Sequence, residues 1–352
     1  MKLLTNIGIS LGVTLLLLIC IELFTRIYFQ RVFDTNNRLL DQRNLLTRAY
    51  PGILDQELGW SPRPSTSGKD NIWGTKVTIS KEGIRLNDIN KYIKDKPIIL
   101  AVGDSLTFGD QVSDDETWPS YLEKYSKSRV INGGVFNYGI DQILLRTETL
   151  IKKYKPKIVI FSFIPRDINR AGQSMRAGLL KPYFNIVNGR LKLHNTHINI
   201  DENKIKYKID SFKTYLGYSF FINEFMMKMN PQYWLIGKDS DLEIKNNPLA
   251  VSCLIIKRLK EILSKNNLKG LILGQYTHYN LYNNQRNKNM SKVLECASRV
   301  NLKTLDLFPV LESVRAKNKK KYEGLFDTHM TSKGNSFVAK ELNKYLKRNG
   351  YL

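Results

Sequence analysis

Histidine and cysteine are scarce in this chain, with four of the first and three of the second in 352 residues. The shortage leaves few ligands for a zinc-type site. There is no His-Glu-x-x-His, no Cys-x-x-Cys and no clustered His/Asp set, so no metal site is expected. Three cysteines make no disulfide framework. Cys20 falls in an apolar N-terminal segment, and only Cys253 and Cys296 are left to pair. Both fall in predicted helices and are expected as buried free thiols. Acidic residues are also in deficit, 32 against 55 Lys plus Arg, for a formal net charge of +23. Such a charge attracts nucleic acid, anionic lipid or acidic glycan. No nucleic-acid motif accompanies it, and the densest tract, residues 315–321, has no interleaved aromatics and reads as an exposed loop. A solvated lysine surface is expected, with no nucleic-acid partner. Phosphate-binding and dinucleotide fingerprints are absent; Gly133-Gly134 lacks their spacing and reads as turn chemistry. No cofactor is expected.

The amino terminus is the opposite of sparse. Residues 3–21 are apolar except for Thr5, Asn6, Ser10 and Thr14. About 19 such residues suffice to cross a bilayer as a helix. Lys2 precedes them, while Glu22, Arg26 and Arg31 follow, so flanking charge gives no firm orientation. No small-residue cleavage site is present, and Ile19 is too large for the position before a lipoprotein cysteine. Residues 1–23 are therefore expected to be an uncleaved signal anchor, with the rest in the periplasm or outside the cell. Residues 24–95 read as an amphipathic helical stalk, broken at Pro51-Gly52, and an extension of loops and small strands such as 76–79. Trp60 and Trp73 are expected as packing anchors, with cleft lining the alternative.

Beyond residue 96, short apolar runs alternate with helical patterns. Strands are predicted at 97–102, 130–132, 157–163, 268–275 and 302–305. Helices are predicted at 118–125, 141–154, 254–266, 291–299 and 336–347. This alternation predicts an α/β domain with a parallel central sheet covered on both faces. Residues 171–247 break the alternation and read as an insertion forming a cap or lid. Active residues in such a sheet gather at the carboxyl ends of the strands.

Gly103-Asp104-Ser105-Leu106-Thr107-Phe108-Gly109 directly follows the first of these strands. A serine at a strand-to-helix junction can expose its hydroxyl beside free amides. It needs a base, and histidine suits that role near neutral pH when a carboxylate orients it. His194 and His197 fall in the insertion, where surface or packing roles are expected. His278 follows the fourth strand and could line the pocket. His329 has Asp327 two residues earlier and a helix start after it, and is the expected base.

Residues 97–170 and the block Asp327-Thr328-His329-Met330-Thr331-Ser332-Lys333-Gly334 resemble the SGNH, or GDSL-type, hydrolases. The resemblance implies a three-layer flavodoxin-like fold, Ser105 as nucleophile and His329 as base. The family's acid usually stands three residues before the histidine, where this chain has Phe326. Some membrane-linked carbohydrate-acylating or deacylating relatives use Asp-x-His, which makes Asp327 the third member. Of the family's oxyanion donors, the second-block glycine maps to Asn137, whose amide persists and whose side chain tolerates positive φ. Gly134 or Gly139 then shapes the loop. The third-block asparagine maps to Arg166, which either donates to the oxyanion or points away, with Asn169 as a fallback. Asp104 and Asp167 are expected as structural acids. The resemblance implies an esterase removing an acyl group, commonly acetyl, from an envelope glycan or lipid. An acyltransferase on the same scaffold and a non-catalytic binding protein are the alternatives, the latter because of Asn137 and Arg166.

Overall fold

The structure is a computed structural model, and it describes residues 2–29, 32–35, 37–39, 51–70, 73–87, 95–176, 179–198, 211–230, 233–234, 247–277 and 287–352. It begins with helix α1, Lys2–Tyr28, whose stretch Asn6–Tyr28 has a mean hydropathy of 2.5 and is exposed throughout residues 6–21. That length and composition suit a membrane anchor or a signal sequence. It takes in residues 24–28 of the expected stalk, of which residues 30, 31 and 36 lie outside the described residues. The chain turns at Val32 and Phe33, and the Asn37 amide donates to the Thr214 carbonyl at 2.6 Å. Residues 40–50 lie outside the described residues.

The extension forms two antiparallel hairpins, β1 (Gly52–Asp55) with β2 (Gly59–Pro62) and β3 (Thr66–Lys69) with β4 (Lys76–Ile79). Trp60 is fully buried, as expected of a packing anchor, and its indole donates to the Phe136 carbonyl at 2.9 Å. After β4, Arg85 is buried and forms a bridge with Asn132. Its guanidinium donates to the Asp114 carboxylate and to the carbonyls of Lys76, Phe108, Gly109 and Val112, at 2.7–3.1 Å.

The central sheet has five parallel strands in the order β13-β12-β7-β5-β6: Lys303–Asp306, Lys269–Gly274, Ile158–Phe163, Ile99–Val102 and Val130–Asn132. Counted along the sheet domain alone this is the flavodoxin-like order 2-1-3-4-5, whose switch point lies between β5 and β7. Both strands are buried along their whole length because helices cover both faces. One layer pairs α3 (Trp118–Ser126) with α12 (Ser332–Arg348); the other sets α4 (Ile140–Tyr154) and α9 (Lys288–Arg299) beside α8 (Pro248–Lys265). Two short helices complete the strand ends, α2 (Ser105–Phe108) after β5 and α5 (Pro165–Arg170) after β7.

Helix α8 begins six residues before its predicted start. Asn247 caps it by accepting from the Leu249 amide at 3.0 Å, and Pro248 takes the first helical position. Residues 315–321 are not the expected loop: α10 (Phe308–Lys317) and α11 (Lys319–Glu323) meet at Asn318, whose side chain accepts from the Lys321 amide at 2.8 Å. The expectation of free thiols is also overturned. Helices α8 and α9 lie side by side and turn half-buried flanks toward each other, and Cys253 and Cys296 form a disulfide with Cα atoms 5.5 Å apart.

The region 171–247 contributes a short ladder, β8 (Met175–Arg176) with β9 (Leu179–Leu180), a hairpin, β10 (Tyr183–Val187) with β11 (Arg190–His194), and helices α6 (Ser211–Leu216) and α7 (Phe220–Met229). The hairpin packs on α4 and α8, while α7 packs on α1. Lys181, fully buried, pairs with the equally buried Asp141 at the start of α4 and fastens this region to the sheet domain.

Candidate active site

The serine loop is built on small clearances. A side chain at Gly103 would meet Thr107 Oγ1 at 2.2 Å and the Ser162 carbonyl at 2.9 Å. Asp104 caps α2, its carboxylate accepting from the Leu106 amide at 3.1 Å. Ser105 is thereby fixed as the first residue of the helix, 8 % exposed, at the carboxyl end of β5 and beside the switch point. The helix closes on Gly109 at φ 94°. Its last carbonyls are the ones that Arg85 holds from the extension.

His329 reaches this serine from the far end of the chain. Its Nε2 lies 3.2 Å from Ser105 Oγ. Asp327, Thr328 and His329 form a tight turn closed by the Phe326–Met330 bridge, with the Asp327 amide donating to the His329 carbonyl at 2.8 Å. Behind it, Thr331 caps α12, and Asn335 accepts from the Trp118 amide at 2.9 Å while donating to the carbonyls of Met330 and Thr331 at 3.1 Å. A side chain at Gly334 would strike the Leu325 carbonyl, so the glycine lets the helix approach the turn.

Asp327 sits beside His329 but does not hold its ring. Its exposed carboxylate accepts from the Gln111 side-chain amide, and His329 Nδ1 has no hydrogen-bond partner among the described residues. The physical reason is Gln111, which also accepts the His329 amide on its Oε1 at 2.8 Å and so spans both residues. A second carboxylate, Asp110, lies 3.8 Å from His329 Nε2. Trp73 packs edge-on against the imidazole with ring centres 5.7 Å apart. It thus lines the site as well as packing, unlike Trp60. Burial pushes the His329 pKa below its ordinary value, Arg170 and Arg166 push the same way, and the charges of Asp104 and Asp327 oppose them. The lowered pKa favours the neutral imidazole near pH 7, the form that can accept a proton.

Asn137 adopts the left-handed conformation, φ 62°. No described residue accepts its amide or that of Ser105. Its side-chain oxygen accepts from Arg176 Nη2 at 3.2 Å. Gly134 has a different task. Its amide donates to the Asn132 side chain at 3.1 Å, and a side chain there would collide with the Phe108 amide at 2.2 Å. Arg166 is exposed on the first turn of α5, close enough for its charge to act on His329 and Arg176, with no hydrogen bond to Ser105. Asn169 faces away, accepting from Asn289 at 3.5 Å.

Asp167 accepts from the Ile164 amide at 2.9 Å and from Arg170 at 2.7 Å. Burial raises both Asp104 and Asp167, and the charge of Asp104 raises Asp167 further. Arg176, half-buried near Arg170 and Arg166, is pulled down to about 9, chiefly by desolvation, and stays charged at neutral pH. His194 stacks on Tyr183 within the β10–β11 hairpin, His197 has φ 59°, and His278 lies outside the described residues. No group of three or more His, Cys, Asp or Glu among the described residues could hold a metal ion. A cavity of about 420 Å³ lies elsewhere, between the extension and β6, lined by residues such as Thr78, Arg85, Glu123 and Asn132.

The chain is similar to GDSL-type lipolytic proteins. One, from Desulfitobacterium hafniense DCB-2, is 15% identical over 71% of this chain and 99% of its own, with a TM-score of 0.36. A lipase/acylhydrolase from Enterococcus faecalis is 12% identical over 72% of this chain and 97% of its own, TM-score 0.40. The acetyl xylan esterase AlAXEase is 13% identical over 71% and 99%, TM-score 0.39. No family model and no curated protein matches the sequence.

Proposed function

We propose that this protein is a membrane-anchored SGNH-like serine esterase acting on an acyl ester of an envelope glycan or lipid. The observation that carries the reading is the 3.2 Å approach of His329 Nε2 to Ser105 Oγ at the carboxyl end of β5. In the forward step His329 takes the Ser105 proton as Oγ bonds to the ester carbonyl carbon. The carbonyl oxygen becomes an oxyanion facing the amides of Ser105 and Asn137. The tetrahedral intermediate collapses, His329 returns the proton to the leaving alcohol, and the acyl group stays on Ser105. Water, deprotonated by His329, then adds to the acyl-enzyme; the acid leaves and Ser105 recovers its proton. Asp327 supports the imidazolium through its charge, with Gln111 holding acid and histidine in place. Arg166 and Arg176 add positive charge to the rim.

Two features support an uncleaved anchor and an extracytoplasmic domain. The end of α1 is bonded into the fold through Glu22 and Arg26. The Cys253–Cys296 disulfide suits an oxidising compartment. The reading is tested with Ser105→Ala. Turnover of p-nitrophenyl acetate should fall at least about a thousandfold, and labelling by a fluorophosphonate should vanish, with the circular dichroism unchanged. Wild-type turnover in that variant would overturn the mechanism.

A further inference from the structure

Helix α7 starts on the membrane helix. The Glu22 carboxylate accepts from the Ser219 hydroxyl at 2.7 Å and from the amides of Phe220 and Phe221 at 2.8 and 3.0 Å, the first donors of α7. These are groups that a helix cannot satisfy from within. Arg26, ion-paired to Glu22 at 2.6 Å, donates to the Tyr218 carbonyl at 2.9 Å. The guanidinium of Arg38 lies 4.6 Å from the centre of the Phe220 ring, and the Arg38 amide donates to the Gly217 carbonyl at 2.9 Å. The contact is therefore made by main chain and side chain together, from both sides of the turn that ends α1.

Depth follows from helix geometry. Glu22 stands six residues before the end of α1 at Tyr28, about 9 Å along the axis. The apolar stretch Asn6–Tyr28 has 23 residues, about 35 Å against a hydrocarbon core of about 30 Å. The excess of about 5 Å, centred or all at this end, sets the start of α7 about 4–7 Å inside the acyl boundary, the depth at which an interfacial helix buries its apolar face. Its neighbours suit that layer. Phe24 and Tyr28 on α1 are 70% and 72% exposed, as in an aromatic belt. On α6 and its exit Phe212, Tyr215 and Tyr218 are 66%, 75% and 53% exposed. On α7, Phe225 and Met229 are 50% and 68% exposed and follow Phe221 at four-residue intervals, hence on one face.

We infer that α6 and α7 form a second, interfacial membrane contact, with Tyr215, Tyr218, Phe225 and Met229 seated in the lipid boundary beside the span. The occupant is lipid because the patch is continuous with α1; the inference rests on α1 being retained in the bilayer. Full-length protein carrying Cys20→Ser is reconstituted in phosphatidylcholine/phosphatidylglycerol vesicles. Single cysteines at Tyr215, Phe225, Leu16 in α1 and Val187 at the exposed hairpin tip are labelled with NBD. Phe212 and Met229 replace any position that disturbs the circular dichroism. Doxyl lipids should quench positions 215 and 225 several-fold more than position 187, and iodide the reverse. Lipid quenching at 16 with iodide quenching at 215 and 225 would overturn the inference alone. Loss of lipid quenching at 16 would overturn the anchor as well. Shielding from both quenchers, with disulfide-linked Phe225→Cys dimers, would assign the face to a second copy and also overturn it.

Discussion

Gln111 and Arg166 show how single side chains act on His329. Gln111, at φ 74°, grips the turn by the Asp327 carboxylate and the His329 main chain, leaving the imidazole ring itself lightly held. Charge then matters more than hydrogen bonding at Nδ1. In the proposed mechanism His329 works as the neutral base, and its pKa in the fold lies below the ordinary value. Turnover should accordingly survive acidification past the usual imidazole midpoint and fail only as pH drops through the depressed one. Arg166 contributes to that depression. Arg166→Gln should move the acid limb of the kcat/KM profile for p-nitrophenyl acetate upward toward the ordinary histidine value. High salt should shrink the difference between variant and parent. An unmoved limb with a loss of 10²-fold or more in kcat would instead mark Arg166 as an oxyanion donor.

At the scale of elements, the sheet was legible because buried parallel strands are short apolar runs with few competing readings. Ile158–Phe163 and Ile99–Val102 are wholly buried, and the serine and its histidine lie where the run-and-helix pattern places them. Contacts that depend on which flanks of two elements meet were not legible. Cys253 and Cys296 sit on helices whose facing sides no periodicity reveals, and Trp73 reaches His329 from a segment with no period at all. Asp327 could be named from its spacing, whereas its bond to Gln111 depends on a loop conformation. The disulfide closes a loop across a separation of 43 residues. Chain entropy gives such a cross-link about 4 kcal/mol, an upper figure for typical cases. Cys253→Ser should lower stability by about 2–4 kcal/mol, read as the shift in urea midpoint multiplied by the m-value. Dithiothreitol should lower the parent's midpoint and leave that of the variant unmoved.

For the molecule as a whole, the extension is joined to the catalytic loop most firmly at Arg85. Replacing it by methionine removes five hydrogen bonds and leaves Asp114, 1% exposed, without its cation. Breaking a buried pair in this way costs about 3–5 kcal/mol. Arg85→Met should lose that much in denaturant titration and should also lose esterase turnover under conditions where it is still folded. Parent-like stability would show that the guanidinium is dispensable. The position of Arg85 has an architectural consequence. The chain divides near residue 96 when it is divided by topology, since the sheet begins there. It should not divide there as a cooperative unit, because the Phe108 and Gly109 carbonyls behind Ser105 accept from a residue on the other side of that line. A fragment beginning at the sheet would carry Ser105, His329 and Asp327 and still lack the part that gives the serine loop its shape.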